Sequence, residues 1–260
     1  MNAAFLLLGA DARQASLAAL LAKEYSVQTL GIPGREDAQE PCADRVVLPV
    51  PSFLPDGSPR WSSEEALQAL LRPGITVFGG ALGVHTARFP AVSRWVDLLE
   101  DPVTAAENAV LTADAALLLM MQHSRQSLQG MRCRVIGCGR IGGLLCPRLR
   151  ALGASVELLS TSPEKRALAA AHGYPVFAPE GLDPESPAWY WNTAPAQLIS
   201  TPLLARIPEQ SVWMELASAP GGLPDGERFC FRTLPAGGLP GRLLPVSAGA
   251  VLYRAIKRAM

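Results

Sequence analysis

Apolar residues along this chain gather into short β-prone runs that alternate with stretches whose apolar positions recur at helical spacing. Ala4 to Leu8 predicts a buried strand within a start, Met1 to Ala10, whose apolar run is too short for a signal-peptide core. Gly9 to Gln14 reads as a turn and Ala15 to Lys23 as a helix. Val27 to Leu30 and Asp44 to Leu48 repeat the strand signal, and Pro49 to Arg60 is too rich in Pro and Gly for regular structure. Ser62 and Glu65 have capping-box spacing and open a helix to Leu71. Ile75 to Phe78 is a further buried strand, ended by Gly79-Gly80.

Thr104 and Glu107 form a second capping box, and Ala105 to His123 runs as one long apolar helix. Arg132 to Ile136 is a strand, Gly143 to Leu152 a helix and Ser155 to Leu159 a second strand. Pro175 to Phe177, Ala188 to Asn192, Val212 to Leu216 and Phe229 to Thr233 add short strands, with Thr201-Pro202 starting a small helix. Ser247 to Met260 is an amphipathic helix whose Arg254, Lys257 and Arg258 suit its C-terminal end. The alternation predicts an α/β fold of two Rossmann-like, doubly wound parallel-sheet domains with an interdomain cleft. The expected division is 1–103, joined by a returning helix 246–260, and 104–245, the first a substrate domain and the second a dinucleotide domain.

Between the strand ending at Ile136 and the helix after it stands Gly137-Cys138-Gly139-Arg140-Ile141-Gly142. In that setting Gly137 permits a tight turn, Gly139 lets backbone approach a pyrophosphate, and Gly142 lets helix press on strand. The N–H groups near Arg140 and Ile141 would face the phosphates at the positive end of the helix. At the end of the second strand a carboxylate for the ribose 2′-hydroxyl is expected, but Ser160-Thr161-Ser162-Pro163-Glu164-Lys165-Arg166 stands there. Hydroxyls and Arg166 suit a 2′-phosphate, which favours NADP. NAD stays open if Glu157 ends the strand, and Ser162-Pro163 equally suits a plain helix cap. Later strand ends place Asn192, Thr193 and Ala217 among the expected cofactor contacts.

Composition narrows the partners. The 260 residues carry zero formal net charge without long blocks of one sign, which argues against nucleic acid and anionic membranes. No stretch approaches the ~18 apolar residues that span a bilayer, since Thr112 and Asp114 interrupt Val110 to Met121. Cys42, Cys133, Cys138, Cys146 and Cys230 lack a C-x-x-C pair, so no metal site or disulfide framework is expected and a cytoplasmic location is.

Several loops carry a family resemblance over nearly the whole length. Gly9-Ala10-Asp11-Ala12-Arg13-Gln14, Asn192-Thr193-Ala194-Pro195, Leu216 to Gly222, Gly238-Leu239-Pro240-Gly241-Arg242 and Pro245 to Gly249 together resemble the dipicolinate synthase A family. The resemblance implies a fold like that of D-2-hydroxyacid dehydrogenases. It implies NADP-dependent oxidation of a dihydro- or hydroxytetrahydrodipicolinate to the pyridine dicarboxylate during sporulation, in the mother cell. It also implies the flavoprotein-like B-type subunit of dipicolinate synthase as partner, and self-association as a homo-oligomer is expected. Ala219 departs from the pattern, standing where that family commonly has a basic residue.

A dicarboxylate substrate needs fixed cations and hydroxyls. Arg13 and Arg242 are the expected anion clamps, Ser218 and Ser247 their hydrogen-bonding partners, with Ser247 also able to cap the last helix. Glu107 and Asp11 are the candidate proton acceptors, each with a competing structural role as cap or turn residue. His85, His123 and His172 all precede the final part of the dinucleotide domain, where a hydroxyacid dehydrogenase would place its acid/base, so alcohol–ketone interconversion is disfavoured. A non-catalytic NADP-binding protein, or another NAD(P)-dependent dehydrogenase acting on a small carboxylic acid, stays open as an alternative.

Overall fold

The computed structural model describes residues 3–9 and 11–260; Met1 and Asn2, ahead of the expected first strand, and Ala10, in the expected turn, lie outside them. The chain divides into two compact units, Met1–Leu111 with Gly238–Met260, and Thr112–Gly237. The divisions fall inside the long helix and ahead of residue 245, not at 103 and 245.

The first unit is a five-stranded parallel sheet of β1 (Ala3–Leu8), β2 (Val27–Leu30), β3 (Ala43–Val47), β4 (Thr76–Gly79) and β5 (Arg94–Asp97), in the order β2-β1-β3-β4-β5. Successive side chains of a strand point to opposite faces. Leu6 and Leu8 accordingly join Val46, Val77, Leu67 and Leu71 on one face, beneath α2 (Glu64–Leu70). Phe5 and Leu7 join Leu17, Leu21, Phe78, Leu252 and Ile256 on the other, beneath α1 (Ala12–Leu21) and α8 (Pro245–Ala259). The edge strand β5 was not foreseen: Arg94-Trp95-Val96-Asp97 has one exposed and three half-buried residues and so lacks a clean alternation.

Three helix starts differ from expectation. Ser63, not Ser62, caps α2 by accepting from the Ala66 N–H at 3.2 Å. Asp101 caps α3 (Pro102–His123), accepting from the Thr104 N–H at 3.2 Å and the Thr104 hydroxyl at 2.7 Å. Thr104 and Glu107 therefore lie inside the helix rather than forming a box. The Asp101 carboxyl is held well below the usual carboxylate range by the Thr104 hydroxyl and then by Arg258. Finally, α8 begins at Pro245, which puts Ser247 within its first turn and removes it from the cap position. By length and composition alone α3 is long and apolar enough to cross a bilayer, where no such stretch is expected, because its few polar residues are diluted over 22 positions. Ala113, Ala115, Ala116 and Met120 are buried in the molecule, as in a core helix.

The second unit has six parallel strands: β6 (Arg132–Ile136), β7 (Ser155–Leu159), β8 (Val176–Phe177), β9 (Trp189–Asn192), β10 (Val212–Glu215) and β11 (Arg232–Pro235). Their order is β11-β10-β9-β6-β7-β8, the doubly wound arrangement in which direction reverses between β6 and β9. The helices α4 (Arg140–Ala151), α5 (Pro163–Ala171) and α6 (Thr201–Leu204) fill its crossovers. One face packs Ile136, Leu159, Tyr190, Trp213 and Phe231 together. Arg134 is buried on it, donating to Glu157 at 2.7 Å and to the Tyr190 hydroxyl at 2.6 Å, so its charge is paired where it is desolvated.

In the first unit α8 packs closely on α1 at Gly249. A Cβ there would stand 2.7 Å from Ser16 Cβ, 2.9 Å from the Leu17 nitrogen and 3.0 Å from the Arg13 carbonyl oxygen. Two of these are backbone atoms of α1, which cannot swing aside. Gly249→Ala is expected to destabilise the protein by ~1–3 kcal/mol, the usual cost of overpacking. Gly143→Ala, with nothing within 4 Å of the added carbon, is expected to cost nothing. Denaturant melts of the two variants check this.

Candidate functional site

The reversal point of the second sheet lies between the carboxyl ends of β6 and β9, where ligands of such sheets bind. Gly137 sits there at φ +101, a conformation closed to most side chains, and its N–H is held by the Leu159 carbonyl at 2.8 Å. A Cβ at Gly137 would stand 2.7 Å from Thr193 Oγ1, and one at Gly142 would overlap the Gly137 carbonyl oxygen. At Gly139, the N-cap of α4, an added Cβ meets nothing within 4 Å. Two glycines thus close the turn and the third faces open space. The first-turn N–H groups of α4, at Arg140, Ile141 and Gly142, point toward that end of the helix without intrahelical partners. The cradle has the shape and polarity a pyrophosphate needs.

The segment after β7 separates the roles of its hydroxyls. Ser162 caps α5, accepting from the Lys165 N–H at 3.3 Å, with Pro163 in the first helical position. Ser160 is buried and accepts from the Ser162 N–H at 3.2 Å. Thr161 and Lys165 are exposed. Arg166 Nη1 donates to the Ser160 carbonyl at 2.7 Å and the Thr161 carbonyl at 3.0 Å, which fixes the loop and holds the guanidinium beside it. Glu157 lies in the middle of β7, bound to Arg134 and 3.5 Å from Arg132. Its carboxylate is engaged within the sheet, and no carboxylate ends the strand.

On the other side of the reversal point, Thr193 Oγ1 donates to the Ile136 carbonyl at 2.9 Å, which locks the loop after β9 onto the glycine turn. The buried Asn192 donates to the Ala194 carbonyl at 3.0 Å and to Glu215 at 2.6 Å. Glu215 was not among the expected site residues. Its carboxylate gathers the loop that carries Ala217 and the exposed Ser218. An acidic residue ending an apolar strand just before Ala-Ser-Ala-Pro-Gly-Gly was the available signal.

In the first unit the sheet order reverses between β1 and β3. Gln14 bridges the two strand ends, donating to the Leu8 carbonyl at 3.1 Å and the Leu48 carbonyl at 2.8 Å. Arg13 turns inward, against expectation: it is 4% exposed, bound to Asp11 at 2.9 Å and to the Val50 carbonyl at 2.6 Å. Asp11 is its counterion and the N-cap of α1. Gly241, on α7 (Leu239–Leu243), lies so close that a Cβ would stand 2.6 Å from Arg13 Nη2 and 2.7 Å from Asp11 Oδ2. Arg13, Asp11 and Gly241 of these two segments therefore pack into one lock in the first unit. Arg242 and Ser247 remain exposed. Glu107 pairs with Arg254 at 2.8 Å, so both expected proton acceptors are tied to arginines.

Two of the thiols are inert by burial, which pushes Cys133 and Cys146 up to about 12. Cys138, half-buried in the glycine turn, is also raised, by desolvation. His123 ends α3, as expected, and His172 is the C-cap of α5. Among the described residues no cluster of His, Cys, Asp and Glu could hold a metal ion.

No protein-family model matches the chain. The A-type subunit of dipicolinate synthase from Bacillus subtilis (strain 168) is 26% identical over 230 residues, 84% of this chain and 77% of that protein. The crystal structure of the corresponding dipicolinate synthase protein from Bacillus halodurans has a TM-score of 0.82 at 23% identity, covering 98% of this chain and 96% of that one. An L-alanine dehydrogenase has a TM-score of 0.65 at 14% identity, covering 98% of this chain and 88% of its own. The resemblance carried by the loop motifs is borne out, and the fold is of the Rossmann dehydrogenase type.

The glycine geometry predicts opposite outcomes for two similar substitutions. Gly142→Ala is expected to lower stability by ~1–3 kcal/mol, because its methyl meets backbone. Gly139→Ala, at φ −82 with open space around it, is expected to melt with the parent protein. Thermal melts of the ligand-free variants decide.

Proposed function

We propose that the chain is an NADP-dependent oxidoreductase of the dipicolinate synthase A type, oxidising a cyclic dihydrodipicolinate to the aromatic pyridine dicarboxylate. The observation that carries the cofactor part is the glycine turn: two glycines are needed by the fold, while Gly139 leaves clear the space a diphosphate would occupy. The bound nicotinamide would supply the hydride acceptor. Arg140, Ile141 and Gly142 would hold the diphosphate through their N–H groups, and Asn192, Thr193 and Ala217 would line its nicotinamide half.

The preference for NADP rests on what ends β7. Glu157 is engaged with Arg134 in the middle of β7, so the strand itself ends without a carboxylate for a ribose 2′-hydroxyl. The Thr161 hydroxyl, Lys165 and the loop-bound Arg166 offer the donors and positive charge that the phosphate requires.

For the substrate, dehydration of the hydroxytetrahydro form gives the dihydro ring. Oxidation of that ring removes a hydride from carbon and one proton; the hydride is what a bound nicotinamide would accept. Aromatisation drives the step, so the protein has chiefly to orient the ring and bind its acid groups. Arg242, Ser247 and Ser218 are exposed, each within its own unit, and stay the candidates for contact with the acid groups. The flavoprotein-like B-type subunit of dipicolinate synthase is the expected partner for the activity.

NADPH formation from NADP and freshly generated hydroxytetrahydrodipicolinate, with the B-type partner present, tests the reaction. Turnover supports it; NADPH uptake without turnover would reduce the chain to a cofactor-binding protein. Arg166→Ala is expected to weaken NADPH binding ~10-fold or more, the loss of one charged hydrogen bond, and NADH binding by under ~3-fold. Equal losses in a fluorescence titration would remove the 2′-phosphate assignment.

A further inference from the structure

Glu215 ends β10 on the same rung as Asn192 of β9, which in turn pairs with Ile136 of β6. Its carboxylate accepts four hydrogen bonds within the second unit. Oε1 takes Asn192 Nδ2 at 2.6 Å and the Ala217 N–H at 3.2 Å. Oε2 takes the Trp213 indole N–H at 3.0 Å and the Gly222 N–H at 3.1 Å. Both oxygens are thus occupied by fixed donors, drawn from both strands and from the loop that follows.

The chain around it is shaped for that closure. Gly221 adopts φ +81 with its Cα against the carboxylate, where a Cβ would stand 3.2 Å from Glu215 Cδ. A Cβ at Gly222 would stand 2.6 Å from Asn192 Nδ2 and 2.8 Å from Trp213 Cζ2. The strap continues from Asn192 through Ala194 to Thr193, whose hydroxyl also reaches the Gly137 carbonyl at 3.2 Å. One carboxylate therefore ties the loops after β9 and β10 to each other, and through Thr193 to the glycine turn.

We propose that Glu215 is a positioning residue for the nicotinamide half of the dinucleotide, setting the two loops on which that half rests without touching the cofactor. The inference rests on the dinucleotide reading given above. The adenosine half, by contrast, is handled at the end of β7 and does not depend on the strap. A polar swap at this one position should then separate the two halves of the ligand.

Glu215→Gln keeps the size and shape of the side chain but turns one oxygen into a donor that faces two donors. Calorimetric titrations with NADPH and with 2′,5′-ADP, the adenosine half alone, read the consequence. The expected result is NADPH affinity lowered ~10-fold or more and 2′,5′-ADP affinity within ~2-fold of the parent. Enhancement of nicotinamide fluorescence on binding should fall in step with the NADPH loss. A merely structural role would weaken both ligands alike, and that result, or no change in either, would overturn the proposal. If Glu215→Gln does not fold, Trp213→Phe removes the indole donor and leaves three donors on the carboxylate; the same split is expected, and equal losses again overturn the proposal. Failure of the parent protein to bind either ligand would instead overturn the dinucleotide reading beneath it.

Discussion

The close seating of α4 on the end of β6 is the constraint from which the rest of the second unit follows. No side chain fits between Gly142 and the Gly137 carbonyl, so the helix start must lie against the strand end. That contact aims the first-turn N–H groups at the reversal point of the sheet, where direction changes between β6 and β9. The polar end of the helix and the crevice then coincide. Thr193 locks the neighbouring loop to the same turn, and Glu215 extends the fixed surface by one strand. Each step adds a hydrogen bond whose geometry presupposes the one before it.

The first unit uses its own reversal point differently. There Gln14 and Arg13 point into the crevice and satisfy backbone carbonyls, with Gly241 closing over the ion pair. A buried guanidinium is tolerable because Asp11 and a backbone carbonyl meet it. Removing either partner would leave a desolvated charge. Residues that read as ligand-binding chemistry in the chain are here part of what holds α1, α7 and the sheet together.

The sequence made some of this legible and hid the rest for physical reasons. The glycine turn was readable because its geometry depends on residue identity at fixed spacing, with strand and helix patterns flanking it. The Ser162-Pro163 cap was local in the same sense, and it holds. β5 and α7 escaped because a half-exposed edge strand and a five-residue helix carry little periodicity. The inward turn of Arg13 depends on Val50 and Gly241, far away in the chain. Glu215 was missed because its donors come from β9, β10 and a glycine loop, none of which identifies it alone. Capping boxes failed at Ser62 and Thr104 because a neighbouring Ser63 and Asp101 offered better-placed acceptors.

On the function proposed, a dinucleotide's diphosphate lies on the amino end of α4. A crystal of the protein grown with NADPH tests it most directly. The account predicts diphosphate density within hydrogen-bonding distance of the Arg140 and Ile141 backbone nitrogens, over Gly139, with the 2′-phosphate beside Thr161. Density for the nucleotide elsewhere in the molecule, with the turn at Gly139 open to solvent, would contradict it.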